Sequence, residues 1–238
     1  LMSEIKRVLV KLSGEALIAP DGYWLNPATL SRLAADLAAA SQSGYEIAVV
    51  IGGGNIIRGA KVGAAGWIDR ATADSMGMLA TIMNSIALEG AIEAQGASAR
   101  TLSAVAVPTI CETYARQLAS HLISKKRIVV LAGGTGSPFF TTDTAAVLRA
   151  VELKCDAVLK ATQVDGVYTA DPNKDPTATR FDTLTHDEAI SRDLKIMDTA
   201  AFALARENRL NILVGSAHRE GAITAILRGE AKSTLVTP

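Results

Sequence analysis

The feature that most constrains this chain is an alternation of short β-branched runs with longer Ala-rich segments of helical spacing. The runs IKRVLVKL (5–12), YEIAVVI (45–51), SARTLSAV (98–105), RIVVLA (127–132), DAVLKA (156–161) and LNILV (210–214) read as strands. Between the first two, NPATLSRLAADLAAASQSG puts Leu30, Leu33, Ala34 and Leu37 on one stripe, offers Asn26 as a cap and Pro27 at the first helical position, and stops at Gly44. Helices likewise fit 70–95, 112–124, 142–153, 198–208 and 219–228. Strands alternating with helices predict an α/β fold, with a mainly parallel sheet covered on both faces. No repeat or low-complexity tract divides the chain, so a single domain over 1–238 is expected. The segment 169–180, TADPNKDPTATR, reads as a surface flap rather than a linker.

Charge narrows the function classes. Lys plus Arg and Asp plus Glu balance at 24 each, so no summed field draws the chain to nucleic acid or to an anionic membrane. Any anion must be held locally. No apolar run approaches the roughly 18 residues of a spanning helix, and the opening residues lack signal-peptide character, so a cytoplasmic protein is expected. Cys111 and Cys155 have no metal-site spacing and read as buried thiols; His121, His186 and His218 are too scattered to pair as ligands. No side-chain metal site is expected.

In α/β sheets ligands gather at the carboxyl ends of strands. There the sequence places Lys11-Leu12-Ser13-Gly14, then Gly52-Gly53-Gly54-Asn55 with Arg58, then Gly133-Gly134-Thr135-Gly136, then Lys160-Ala161-Thr162. Glycine turns and lysines bring backbone N–H groups and cations to phosphate oxygens. Singly, each has a plainer reading as a tight turn or a solvated strand end; four together point to phosphate handling. Neither GxxxxGK[ST] nor a GxGxxG after the first strand is present, so a different phosphate architecture is required. A further oddity is GGTGSPFFTTDTAA (133–146), which places two of only four Phe side by side in a loop.

The segments VKLSGEAL, VVIGGGNIIRG, DSMGMLATIMN, GTGSPFFTTDTAA, LKATQVDGVYTADP, KDPTAT and LKIMDTAAFALAREN occur in the order found in bacterial uridylate (UMP) kinases. These are members of the amino acid kinase family, and the chain resembles them from about residue 5 onward. The Lys-Leu-Ser-Gly and GGGN elements are shared across the wider family; DSMGMLAT and TGSPFFTTDTAA look specific to the uridylate branch. The resemblance implies a three-layer αβα sandwich, phosphoryl transfer from Mg·ATP to UMP, and a hexamer. Ser137 departs from the Asn common at that position. Family members are often activated by GTP and inhibited by UTP, on which this sequence is silent.

Direct phosphoryl transfer asks for positioning and charge neutralisation rather than a covalent nucleophile. By resemblance, Lys11 and Lys160 flank the transferring group and Asp143 holds their ammonium groups; capping of the 142–153 helix is the alternative for Asp143. Asp198 opens another helix and is ambiguous in the same way, with a supporting role implied. For UMP, the matching positions are Gly53, Asp74 as acceptor from ribose hydroxyls, and the loop Thr135, Gly136, Ser137, Pro138, Phe139, Phe140, Thr141 and Thr142. The two Phe are expected to stiffen this loop, with at least one of them in the core. For ATP they are Lys11, Leu12, Ser13, Gly14, Gly54, Arg58, Thr162, Tyr168 and Asp171; an Asx turn is the alternative for the last pair. The Mg²⁺ is expected on ATP phosphates and water. Other acceptors used in the family (carbamate, an acylamino acid, an isoprenoid phosphate) and a non-catalytic nucleotide-binding protein are the competing readings.

Overall fold

All six runs form strands, and they pair side by side in the centre of one sheet. The computed structural model describes residues 5–57, 59–64 and 66–238. Its strands are β1 (Arg7–Leu12), β2 (Glu46–Ile51), β3 (Ala99–Ser103), β4 (Glu112–Thr113), β5 (Ile128–Ala132), β6 (Ala157–Thr162), β7 (Thr183–Thr185), β8 (Asn211–Ser216) and β9 (Ser233–Thr237). They form one sheet in the order β4-β3-β5-β2-β1-β6-β8-β9-β7. Every pairing is parallel except β8 with β9. β1 and β6 run in register, so Lys11 lies beside Lys160.

The helices are α1 (Pro27–Gln42), α2 (Gly59–Ala64), α3 (Arg70–Ala94), α4 (Arg116–Ser124), α5 (Thr142–Glu152), α6 (His186–Ser191), α7 (Thr199–Glu207) and α8 (Ala222–Leu227). Asn26 caps α1 as expected, accepting from Ala28 N and Thr29 N, with Pro27 at its first turn. Alternation along the strands sends side chains to two cores. Val8, Val10, Ile47 and Val49 meet Leu33 and Leu37 of α1, Leu88 and Ile92 of α3, and Ile223 and Ile226 of α8. Leu9, Ala48, Val50 and Val158 meet Ile123 of α4, Val147 of α5 and Phe202 of α7. The result is the three-layer αβα arrangement implied by the resemblance. Lys11 and Lys160 share the second face with Leu9 and Val158, under the N-terminus of α5.

Some expectations are corrected. Cys155 is buried, but Cys111 is only half-buried. The 112–124 helix begins at Arg116, because Glu112 and Thr113 pair with β3. By length and composition α3 is the one described helix apolar enough to cross a membrane. Counting uninterrupted apolar residues misses it, since Asn84, Ser85 and Glu89 break the run; in the fold it is a layer helix, with Thr81, Asn84, Ser85 and Leu88 buried. The flap at 169–180 is a loop pinned at its base by a bridge between Tyr168 and Arg180.

Candidate active site

The carboxyl ends of β1, β2, β5 and β6 deliver the four motifs to one edge of the sheet. At its centre the Asp143 carboxylate, on the first turn of α5, is shared by two lysines. Lys11 Nζ lies 2.8 Å from Oδ1 and Lys160 Nζ 2.7 Å from Oδ2. Lys160 also donates to Ile196 O at 2.6 Å. All three side chains are largely buried, at 12%, 18% and 13% exposure. Burying charge is costly unless it is paired, and one carboxylate between two ammonium groups leaves the trio with a net positive charge. Burial raises the Asp143 pKa, but Lys11 and Lys160 beside it outweigh that and hold it below the ordinary carboxylate value.

Asp143 does not cap its helix. Thr141 is the cap, accepting from Asp143 N at 3.1 Å and Thr144 N at 3.3 Å. Thr141 also donates to Asp198. Asp198 caps α7 through Ala201 N at 3.0 Å and accepts from Thr144 Oγ1 at 3.1 Å. It therefore ties the start of α5 to the start of α7 and fixes the turn from which Asp143 projects. The Thr141 hydroxyl is committed to this network rather than turned towards a ligand.

Glycines let the loops close on one another. A Cβ on Gly14 would overlap the Gly52 carbonyl oxygen, and one on Gly53 would lie 2.8 Å from Ala80 Cβ on α3. The Lys-Leu-Ser-Gly and GGG turns are thus packed backbone to backbone, and the second lies flat on α3.

Three cavities meet at the lysines. The first, of about 600 Å³, is lined by Lys11, Ser13, Gly14, Gly53, Gly54, Asp74, Thr135, Ser137, Phe140, Thr141 and Thr142. Gly136, Pro138 and Phe139 stand outside this lining. The second, about 450 Å³, lies between Lys11, Leu12 and Ser13 on one side and Lys160 and Thr162 on the other. The third, about 500 Å³, is bounded by Lys160, Thr162, Tyr168 and Asp171. Lys11 is common to the first pair and Lys160 to the second pair. Arg58 lies outside the described residues.

The paired aromatics are not core. Phe139 is 65% exposed and Phe140 51%. Phe139 has a left-handed backbone, φ 71°, which turns its ring outward and aims its N–H at Asp74 Oδ2, 2.8 Å away. Phe140 walls the first cavity instead of filling the interior. Asp74 also accepts from Arg70 Nε at 2.8 Å. Thr135 is used within its loop, donating to Ser137 O at 3.0 Å. Asp171 closes an Asx turn by accepting from Asn173 N at 3.0 Å while lining the third cavity. Tyr168 donates to Asp165 Oδ1 at 2.5 Å, which raises its pKa.

The sequence reading missed several lining residues. Arg70, Gly77, Met78 and Thr81 of α3 border the first cavity, Arg32 and His218 the second, and Arg192 to Ile196 the third. Arg70 was readable, since it stands four residues before Asp74 on one helix face. The main-chain carbonyl of Ile196 carried no sequence signal. Among the described residues, no group of three or more His, Cys, Asp or Glu could hold a metal ion.

The amino acid kinase family model matches residues 6–216. The chain belongs to the amino acid kinase family. Within that family it is 60% identical to the uridylate kinase of Azorhizobium caulinodans, over 98% of this chain and 97% of that protein. It is 51% identical to the uridylate kinase of Brucella anthropi, over 98% and 96%. Among solved structures, the UMP kinase of Ureaplasma parvum superposes with a TM-score of 0.93 at 34% identity, covering 99% of this chain and all of that one. That of Bacillus anthracis gives 0.94 at 37% identity, covering 98% and 96%. The near-complete coverage in both directions means that the family's fold is present here without large insertions.

Proposed function

We propose that this amino acid kinase transfers the terminal phosphoryl group of ATP to UMP, giving ADP and UDP. The observation that carries the reading is the Lys11–Asp143–Lys160 cluster at the junction of the cavities. UMP occupies the first, with Asp74 taking ribose hydroxyls and the Thr135–Thr142 loop facing uracil. Uracil offers one N–H donor and two carbonyl acceptors, which hydroxyls and main-chain groups can match. ATP lies across the other two, its phosphate tail between Lys11 and Thr162 and its nucleoside by Tyr168 and Asp171.

Attack by a UMP phosphate oxygen on the γ-phosphorus needs no covalent adduct. Lys11 and Lys160 meet the charge that spreads over the transferring oxygens, and Asp143 holds both amines so that little rearrangement is required during transfer. Backbone N–H groups of the glycine turns complete the cradle. The residues fit a Mg²⁺ carried by the nucleotide: both Asp143 oxygens are engaged by lysines and Asp198 by hydroxyls and an amide. A hard ion held chiefly by phosphate oxygens and water suits that donor set, and when bound it neutralises part of the triphosphate charge. We further infer a cytoplasmic homo-oligomer, a hexamer, supported by an exposed apolar stripe on α3.

A coupled assay of ADP release tests the reading over UMP, dUMP, CMP, carbamate, an acylamino acid and an isoprenoid phosphate. UMP is expected to be the preferred acceptor. Loss of the 2′-hydroxyl leaves Asp74 short of a partner, so dUMP should be poorer by roughly ten- to a hundredfold in kcat/KM, the ~1.5–3 kcal/mol of a hydrogen bond to a charged group. Turnover with an acylamino acid but not with UMP would overturn the assignment.

A further inference from the structure

Two amide side chains that neither substrate reading uses are built into the glycine turns. Asn84 sits in mid-α3 and is wholly buried. Its Nδ2 donates to Gly52 O and to Asn55 Oδ1, both at 2.7 Å. Asn55 Nδ2 donates in return to Asn84 Oδ1 at 3.0 Å, and to Trp24 O at 2.7 Å. Each amide thus uses both its N–H groups and its oxygen, a closed polar network in a buried place. Flipping either amide would set oxygen against a carbonyl oxygen, so the orientation is unique.

What the clasp grips is the exit of β2. In a trans peptide the C=O of one residue and the N–H of the next point in opposite directions. Holding the Gly52 oxygen against α3 therefore fixes the direction of the Gly53 N–H, in a turn that lines the first cavity. The Gly52 oxygen and Asn55 Oδ1 are also among the atoms closest to a Cβ built on Gly14. The clasp accordingly sets how near the Lys-Leu-Ser-Gly turn approaches. Three residues earlier on α3, Thr81 Oγ1 accepts from Gly133 N at 2.9 Å. One helix thus holds both remaining glycine turns.

We propose that Asn84, acting through Asn55, is a positioning residue for phosphoryl transfer: the reciprocal amide clasp holds the Gly52–Gly54 turn in the conformation that presents its N–H groups to phosphate oxygens. This rests on the first cavity being a phosphoryl-transfer site. Asn84 lines none of the three cavities. A misdirected turn harms the transition state most, because the charge on the transferring oxygens must be met at fixed geometry. The loss therefore falls on kcat rather than on KM.

The test compares Asn84→Asp and Asn84→Ala with Leu88→Ala, a control that removes a fully buried side chain of the same helix away from the turn. Steady-state kcat and KM for MgATP and UMP are measured at a temperature where melts show each variant folded. Both Asn84 variants should lose roughly ten- to a hundredfold in kcat, with both KM values little changed and Leu88→Ala close to the parent. Asn84 variants that keep the parent's kcat, or a Leu88→Ala loss of equal size, would overturn the proposal. If neither Asn84 variant folds, Asn55→Ser opens the clasp from its half-buried side and is read in the same way. Parent turnover with UMP checks the underlying reading separately. Should the parent be inactive, the ¹⁵N resonance of the Gly53 amide decides: it should move in Asn84→Asp, and an unmoved resonance refutes the clasp.

Discussion

Lys11 and Lys160 reach the same carboxylate from neighbouring strands, so the positive charge of the cluster exceeds what Asp143 neutralises. In the proposed reaction, that surplus is what a transferring phosphoryl group would meet. Removing one cation from a site of this kind costs about 3–4 kcal/mol in the transition state, so Lys11→Ala should lower kcat by roughly a hundred- to a thousandfold in the UMP assay while circular dichroism stays that of the parent. A variant at parental rate would refute the role. The same pair marks the acid limb of stability. Asp143 has a lower pKa folded than the ordinary 3.8, so its pairing stabilises the fold fully above that value and is lost as pH falls through the folded one. In Lys11→Ala this loss on acidification below about pH 4 should be shallower, as read from urea midpoints.

Among the elements, the start of α6 holds a second pH-sensitive group. His186 is buried edge-on to Phe202, ring centroids 5.3 Å apart, with no hydrogen-bond partner on either nitrogen. Burial lowers its pKa, Asp187 pulls it up, and Arg206 lowers it further. Below about pH 6.5 the unfolded chain takes up a proton that the folded chain refuses, so stability falls as pH drops through that range. His186→Leu should flatten the decline of the urea midpoint between pH 7 and pH 5; parallel declines in parent and variant would exclude His186 as its source. The elements also show how far the sequence was legible. The central strands announced themselves as short β-branched runs, and α1, α3, α5 and α7 as Ala-rich segments of helical spacing. β4 is two exposed residues whose pairing depends on β3 being beside them; β7 is a three-residue edge strand with one residue buried, and β9 beside it has two of its five buried. Nothing local distinguishes such segments from loops. α6 did carry a signal, the capping box of Thr185 and Glu188. At the site, charged strand ends were readable, whereas the outward turn of Phe139 depends on a left-handed backbone and on Asp74 across the cleft.

At the scale of the whole molecule, the outstanding feature is apolar surface that one chain leaves uncovered. Met76, Leu79, Met83 and Ile86 are 42%, 50%, 48% and 39% exposed. Their spacing of three, four and three puts them on one stripe of α3, while Thr81, Ser85 and Leu88 face inward. A second copy of the chain is the occupant we propose for this stripe, since a self-complementary face uses each residue twice. Fully burying an exposed Leu or Met side chain stabilises by about 1.5–3 kcal/mol; with about half of each side chain already covered, one residue counted in both copies contributes roughly 1.5–3 kcal/mol to a pairwise contact. Replacing Leu79 and Met83 with Glu removes that gain and sets like charges against each other across the contact. The double variant should therefore sediment at a fraction of the parent's mass at micromolar concentration, with the parent near six times the monomer mass. Because α3 also carries Asp74, Thr81 and Asn84, the smaller species should lose part of its turnover as the helix loses support from its neighbour. An unchanged sedimentation coefficient, or a parent that is already monomeric, would show that this stripe does not join copies of the chain.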